Sequence, residues 1–478
     1  MNTGCVQEET PVPVPPASKE QEMVTLYFRD ASSAATRALN DSIESVVKDI
    51  DVLIFKSEYS QLKFSQHIAV SENDIRVVSG DYTKKEFTII VPKDFDYYRY
   101  VIIANAHSEV DGYIKQASPA GQLKDDLLRN IISENTGLWN TTPGSSGFKL
   151  IPMWGESEGV RTTSQLDKNE IKLYRSLARV DVKVDESVAF DLKEIYVYNR
   201  PSRGRIAPDI AFWNDSQKRF TAPSLPANLG IVDKANNNNN VYNVNGKKFI
   251  QEIYLYETEE KSTQDYINAT CLVLGGMYNG AMNYYRVDFA ELSEASTGSP
   301  DSPSGEWWKE GPPSSGTGSG GMVGAGDIYH PLVRNYHYEI AIVAVKGAGS
   351  NNRDNAVRSI NTQLVSEFLT WDNNNQNVII DNTPYTLTVD PSTADLSQQN
   401  ATKLITLTTS YPNPKWTLGE PSVDWFKCSL DAANNKVTVS LNTSVTLPAS
   451  GSEGYFRINL IGNDGKHKVG QQIKVTYK

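Results

Sequence analysis

At 478 residues the chain is too long for one ordinary core and predicts two to four domains. Its 46 Lys and Arg against 57 Asp and Glu give a formal charge of −11, which argues against a nucleic-acid partner and against docking on anionic lipid. Hydrophobic residues make up 39%, enough for real cores, while 24 Tyr, 32 Gly and 23 Pro point to an all-β chain with long turns. Cys5, Cys271 and Cys428 are odd in number and far apart, so they form no disulfide scaffold. Five His and three Cys leave little for a metal-cluster or thiol enzyme.

The start of the chain stands apart from the rest. Gly4-Cys5 precedes a polar stretch and the Pro/Val run of residues 11–16. The arrangement resembles the end of a bacterial lipobox with its signal peptide removed, although Asn2 stands where such motifs prefer Leu. On that reading Cys5 carries the acyl chains and residues 6–20 form an extended spacer without fixed structure. Read otherwise, the segment is only a polar tail.

Beyond Glu22 the pattern has period two. Val24, Leu26 and Phe28 alternate with Thr25 and Tyr27, as in a half-buried strand. Residues 31–39 are small and polar and read as an exposed loop. Residues 50–55, 87–91 and 98–104 read as further strands. Residues 118–134 predict the main helix, with Leu123, Leu127, Leu128, Ile131 and Ile132 on one side and Ser118-Pro119 opening it. A second block of strands begins near Ile171 and continues through residues 192–198, 249–256, 271–278, 284–289 and 336–345. Two loops interrupt it: the five-Asn run 236–240 and the Ser/Gly/Pro-rich stretch 293–326. After residues 381–384 a third block carries strands 385–389, 404–408, 437–441, 456–461 and 473–477, the size and rhythm of an immunoglobulin-like sandwich.

Chemistry is sparse. Gly316 to Gly321 satisfies G-x-G-x-x-G, but prolines precede it and no helix pattern follows, so it reads as a loop. His330, His337 and Glu339 lie close in sequence, too few convergent groups for a metal site, and His67, His107 and His467 are isolated. The residues therefore point to no catalytic site, no cofactor and no bound metal. Trp307-Trp308 in the long loop are candidate ligand-contact aromatics, able either to stack on sugar rings or to staple the loop to a sheet.

Several motifs agree on a family. The strand of residues 23–30, the loop with Arg37-Ala38-Leu39, and residues 49–55 resemble the N-terminal region of FimA/Mfa-like fimbrillins, the pilins of Bacteroidia type V pili. So do Ile151-Pro152-Met153-Trp154-Gly155, the stretch 173–182 (near the family's Arg-x-x-Ala-[Arg/Lys]-Val strand), and Arg334-Asn335-Tyr336-His337-Tyr338-Glu339-Ile340. Trp416, residues 423–426 and 437–439, Asn442 and Arg457-Ile458 resemble a BACON-type domain, an Ig-like module of bacterial surface proteins, although the last strand departs from that pattern.

The resemblance implies tandem transthyretin-like Greek-key β-sandwiches at residues 21–187 and 188–382, after a lipoprotein tether at 1–20 and before an Ig-like domain at 383–478. It implies an outer-membrane lipoprotein precursor, attached to the membrane only by its lipid. Its partners are other pilus subunits and a host or bacterial surface receptor or glycan. Cleavage between Arg37 and Ala38 would release the first strand, and a neighbour's strand would fill the slot by donor-strand exchange. A folded C-terminal domain favours a tip or accessory adhesin over a stalk pilin. The alternative is a surface glycan-binding lipoprotein with Ig-like spacers, using Trp307 or Trp308.

Overall fold

The computed structural model describes residues 21–30, 44, 46–79, 81–92, 97–160, 170–214, 219–244, 248–289, 328–329, 331–359, 363–372, 377–380, 383–461 and 468–478. The alternating start of the chain becomes strand β1 (Gln21–Asp30). It is followed by β2 (Asp49–Glu58), β3 (Gln61–Ser71), β4 (Arg76–Val78), β5 (Asp81–Pro92) and β6 (Tyr98–Ala104). Tyr59 and Ser60, both at positive φ, make the two-residue turn between β2 and β3.

Two short helices, α1 (His107–Ala117) and α2 (Lys124–Arg129), precede β7 (Ile132–Glu134), β8 (Met153–Glu156) and β9 (Glu170–Arg175). One eight-stranded sheet runs β3-β2-β6-β8-β9-β1-β5-β4. It turns a corner at β8 and β9, which share only the pairs Met153↔Arg175 and Trp154↔Tyr174. Gly155 sits at that corner, where a Cβ would meet the Lys172 carbonyl at 2.5 Å, so only glycine lets the strands cross this closely. Folded over, the sheet buries Val24, Leu26, Phe28, Phe87 and Ile89 against Ile50, Val52, Ile54, Tyr100 and Ile102. The other face of β2 and β6, with Leu53, Phe55, Val101 and Ile103, packs on Val110, Leu127, Leu128 and Ile131. Burial on both faces explains why residues 50–55, Asp51 excepted, are apolar without alternation.

The predicted helix 118–134 is corrected. Ser118 does not open a helix; at φ 46° it caps the C-terminus of α1, its N–H bonded to the Ile114 carbonyl. Pro119 and Gly121 (φ 74°) make a turn, α2 covers only the middle of the predicted span, and Ile132 already belongs to a strand. The apolar spacing was sound, since Leu127, Leu128 and Ile131 are buried. The Ser-Pro signal had the opposite polarity, and α1 is too polar to show a stripe, burying only Val110.

The second sandwich begins with β10 (Ala178–Val184). One sheet runs Lys248–Leu255, β10, Tyr336–Val345, Leu364–Asp372, Asn377–Ile380, Thr383–Tyr385; the other runs Tyr242–Asn243, Asp191–Tyr198, Cys271–Tyr278, Ala281–Asp288. Val180, Val182, Ile253 and Ile340 face Ile195, Val197, Leu272 and Leu274 in a core continuous with the α1/α2 side of the first sandwich. The β10 neighbourhood repeats that of β1, since each lies antiparallel to one strand and parallel to a later one.

The third sandwich has its own core, around Trp416, Trp425, Phe426, Phe456 and Ile473, between two four-stranded sheets. The expected all-β class, tandem sandwiches followed by an Ig-like one, is what the structure shows. Sheet membership changes across Ser176-Leu177 and across Thr386, whereas the sequence placed its breaks near 187 and 382.

Candidate functional site

β1 is an interior strand. It pairs antiparallel with β5 from Gln21↔Pro92 to Arg29↔Lys84, and parallel with β9 from Tyr27↔Glu170 to Asp30↔Leu173. Val24, Leu26 and Phe28 are all buried, with Phe28 1% exposed and its ring 5.8 Å from that of Phe87. Met23, on the opposite face, is 77% exposed. The rim is polar: the Arg29 guanidinium donates to Glu170 at 2.8 Å and 3.3 Å, and Lys84 lies 4.5 Å over the Tyr27 ring.

Without β1 the slot would expose the apolar faces of Phe87, Ile89, Ile171 and Leu173 and leave two rows of backbone donors and acceptors unpaired. Each of those hydrogen bonds contributes about 0.5–1.5 kcal/mol net. Each buried side chain of β1 adds roughly 1.5–3 kcal/mol. The strand thus accounts for an amount comparable to a whole domain's stability. The rim matters less. Arg29→Ala should cost under about 1 kcal/mol, because both partners are partly solvated; a urea-unfolding series measures it.

The chain after residues 31–43 is pinned by Glu44, a residue that sequence reasoning missed. Buried to 4% exposure, its carboxylate meets Arg175 Nη2 at 3.3 Å and Arg179 Nη1 at 2.9 Å, and accepts the Tyr254 hydroxyl at 2.5 Å. Arg179 also clasps Asp181, and His337 Nε2 lies 2.9 Å from the same carboxylate. Burial raises the Glu44 pKa, but the two guanidiniums and the Tyr254 hydroxyl prevail and hold it below the ordinary glutamate range. Arg175 ends β9 and Arg179 is the second residue of β10, so the network ties Glu44 to the junction of the two sandwiches. The stretch 173–182 was already conspicuous in the sequence; its acidic partner, some 130 residues upstream, was not.

His337 is therefore engaged with Asp181, while Glu339 pairs with Lys183. His67 and His107, isolated in sequence, converge on Asp51 at 2.6 Å and 2.9 Å. Among the described residues, no group of three His, Cys, Asp or Glu side chains is placed to hold a metal. Cys271 is buried and Cys428 half-buried, and desolvation pushes both thiols up to about 12, so neither is a nucleophile. Cys5, residues 6–20, Arg37, Ala38, Trp307, Trp308, His330 and His467 lie outside the described residues.

The C-terminal strand Lys468–Tyr477 lies between Thr393–Leu396, to which it is parallel, and Glu453–Ile461, to which it is antiparallel. The antiparallel edge is paired nearly throughout, the parallel edge only over Lys474–Tyr477.

No family model and no curated protein matches the sequence. Among solved structures, similarity is found to the tip fimbrial protein Mfa3 from Porphyromonas gingivalis with C-terminal truncation, at 13% identity, TM-score 0.41, covering 73% of this chain and 99% of that one. A protein described as a cell adhesion protein from Bacteroides eggerthii is similar at 12% identity and TM-score 0.41, covering 75% and 97%. A fimbrial assembly protein from Parabacteroides distasonis is similar at 10% identity and TM-score 0.39, covering 76% and 99%. Likenesses at this level say nothing about what this chain binds or assembles with.

Proposed function

We propose that the chain is a fimbrial subunit of the tip or accessory-adhesin type, in which β1 is a removable plug of a strand-acceptor groove. The observation that supports this most directly is the place of β1 in both sequence and sheet. It is the first described strand, it is interior, and Arg37 follows it in a small-residue stretch, so a single cut would free it. Glu44 holds the chain beyond the cut, so that β1 would leave alone. A strand from a neighbouring subunit would then restore the lost hydrogen bonds and apolar contacts. The last described strand, Lys468–Tyr477, is held along Glu453–Ile461 and, over Lys474–Tyr477, by Thr393–Leu396, so donating it would first break both ladders.

Export as a lipoprotein through Cys5, a place at the cell surface and in the fimbrium, and an assembling rather than catalytic role belong to the same proposal. So does the division into domains, taken at the two changes of sheet, residues 176–177 and 386, which place β10 in the second sandwich.

The test is mild trypsin treatment of the full chain, followed by N-terminal sequencing and by addition of a synthetic peptide of residues 21–30. The expected result is a new N-terminus at Ala38 and saturable recapture of the peptide by the cut chain but not by the uncut one. Arg37→Ala should abolish that cut and incorporation into pili while leaving the fold intact. Normal levels of Arg37→Ala protein in pili would defeat the reading. Mass spectrometry of the same surface material reads acylation at Cys5.

A further inference from the structure

Asp51 is the one carboxylate in the apolar run of β2, on the face that packs against the helices, and it is fully buried. Its Oδ1 lies 2.6 Å from His67 Nε2 of β3 and 2.9 Å from His107 Nδ1 of α1, and its Oδ2 has no hydrogen-bond partner. Its neighbour on β6 is Ile103, and among the described residues no Lys or Arg forms an ion pair with it. A carboxylate so far from water needs a cation beside it or a proton on it. The cluster therefore holds one proton more than an aspartate and two neutral imidazoles. His107 is where that proton sits best. Asp51 and Asp49 of β2 and Asp111, one turn along α1, all act on it, with Asp111 itself paired to Lys115 at 2.7 Å. On the β3 side stands His67, which faces Asp51 and, farther off, Asp111. The His107 side chain is 48% exposed against 14% for His67, so its proton exchanges with solvent.

We propose that His107 carries the proton that neutralises Asp51, and that losing it loosens α1 and the edge strand β3 together. Both elements are lightly held otherwise. Of the α1 residues only Val110 is buried, and β3 is the last strand of its sheet. The turn after α1 also closes the outer edge of β3: the Gly121 N–H donates to the Phe64 carbonyl at 3.1 Å, and the Phe64 N–H to the Gln122 carbonyl at 2.8 Å. With both imidazoles neutral, Asp51 still accepts two N–H groups, but a charge-assisted bond is roughly twice as strong as a neutral one. The hydrogen bond to Asp51, with the fields of Asp51, Asp111 and Asp49, outweighs burial and raises the His107 pKa above its ordinary 6.5. The stabilisation is therefore fully present below pH 6.5 and is lost as the pH rises through the raised value. Above it, α1 and its turn come away from β3 and uncover backbone that pairs readily with another chain. The cluster is separate from the β1 groove and is complete in the uncut chain, so the device stands whether or not β1 is exchanged.

Histidine NMR and amide hydrogen exchange of the uncut full chain, from about pH 6 to about pH 8, test this. His107 should titrate above 6.5. After correction for the intrinsic exchange rate, protection in α1 and β3 should fall several-fold across that range while β6 keeps its own. His107→Gln, which retains a donor but binds no proton, should remove this pH dependence, and so should Asp51→Asn, with circular dichroism showing each variant folded. His67→Gln loses a contact to Asp51 but leaves the proton on His107, so it should lower protection at every pH and keep the slope. A His107 midpoint at or below 6.5, or an unchanged slope in His107→Gln, would overturn the proposal. So would a slope that disappears in His67→Gln and survives in His107→Gln.

Discussion

Phe28→Ala should weaken the first sandwich by roughly 3–5 kcal/mol, the ordinary cost of emptying a fully buried aromatic position. Phe28 is the last apolar anchor of β1, and its ring packs on Phe87 inside the folded-over sheet. The way in which the loss appears should be distinctive. No described strand precedes β1, so the domain can relieve the cavity by releasing β1 while β2, β6 and the helices keep their own contacts. Hydrogen exchange should therefore rise first in β5 and β9, the two strands that flank β1, and only later in β2. Met23→Ala, on the exposed face of the same strand, should stay within about 0.5 kcal/mol. If Phe28→Ala unfolds the whole sandwich in one step, with β2 and β5 losing protection together, β1 is a structural member and no separable plug.

Much of this was legible in the sequence, for a physical reason. A strand with one buried face announces itself by alternation, which is why Val24, Leu26 and Phe28 predicted β1 and why the third sandwich could be read from its rhythm. The resemblance added which loop to watch. What escaped were features decided by polarity and by distance. Ser118-Pro119 carries a stop signal that looks like a start, because a serine can cap either end and only the left-handed backbone tells which. Glu44 is one carboxylate in a polar stretch, and nothing in its neighbours reveals two guanidiniums waiting at residues 175 and 179. His67 and His107 looked isolated because Asp51, which they share, sits in an apolar run where it seemed an exception. The contact of the Glu186 N–H with Gln472 was likewise invisible, since only the docking of the second and third sandwiches makes it.

Glu44→Ala should cost more than the loss of an exposed carboxylate, about 3–5 kcal/mol, because it breaks a buried ion pair with Arg175 and removes one of the two carboxylates facing Arg179. Arg175 is 3% exposed and would lose its carboxylate partner here, while Arg179 would keep only Asp181 of its two anionic neighbours. Glu44→Gln keeps the shape and an acceptor for Tyr254 and should cost less. The pH dependence separates a charge effect from a packing effect. The folded pKa of Glu44 lies below the ordinary 4.5, so its contribution is fully present above that value and is lost as the pH falls through the folded pKa. The natural chain should therefore lose stability steeply below about pH 4.5, and Glu44→Gln should show a shallower slope there and a nearly constant deficit at neutral pH. Urea midpoints of the two proteins from pH 3 to pH 7 read both. On the proposed function a further consequence follows from position, since Glu44 ties the chain at residue 44 to Arg175 and Arg179 beside the groove that β1 would vacate. Chain cut at Arg37 and carrying Glu44→Ala should recapture the peptide of residues 21–30 poorly, since the junction that frames the groove loosens with the strand. Equal recapture by cut natural and cut Glu44→Ala chain would show that the groove is framed by the sheet alone and that the buried network serves only stability.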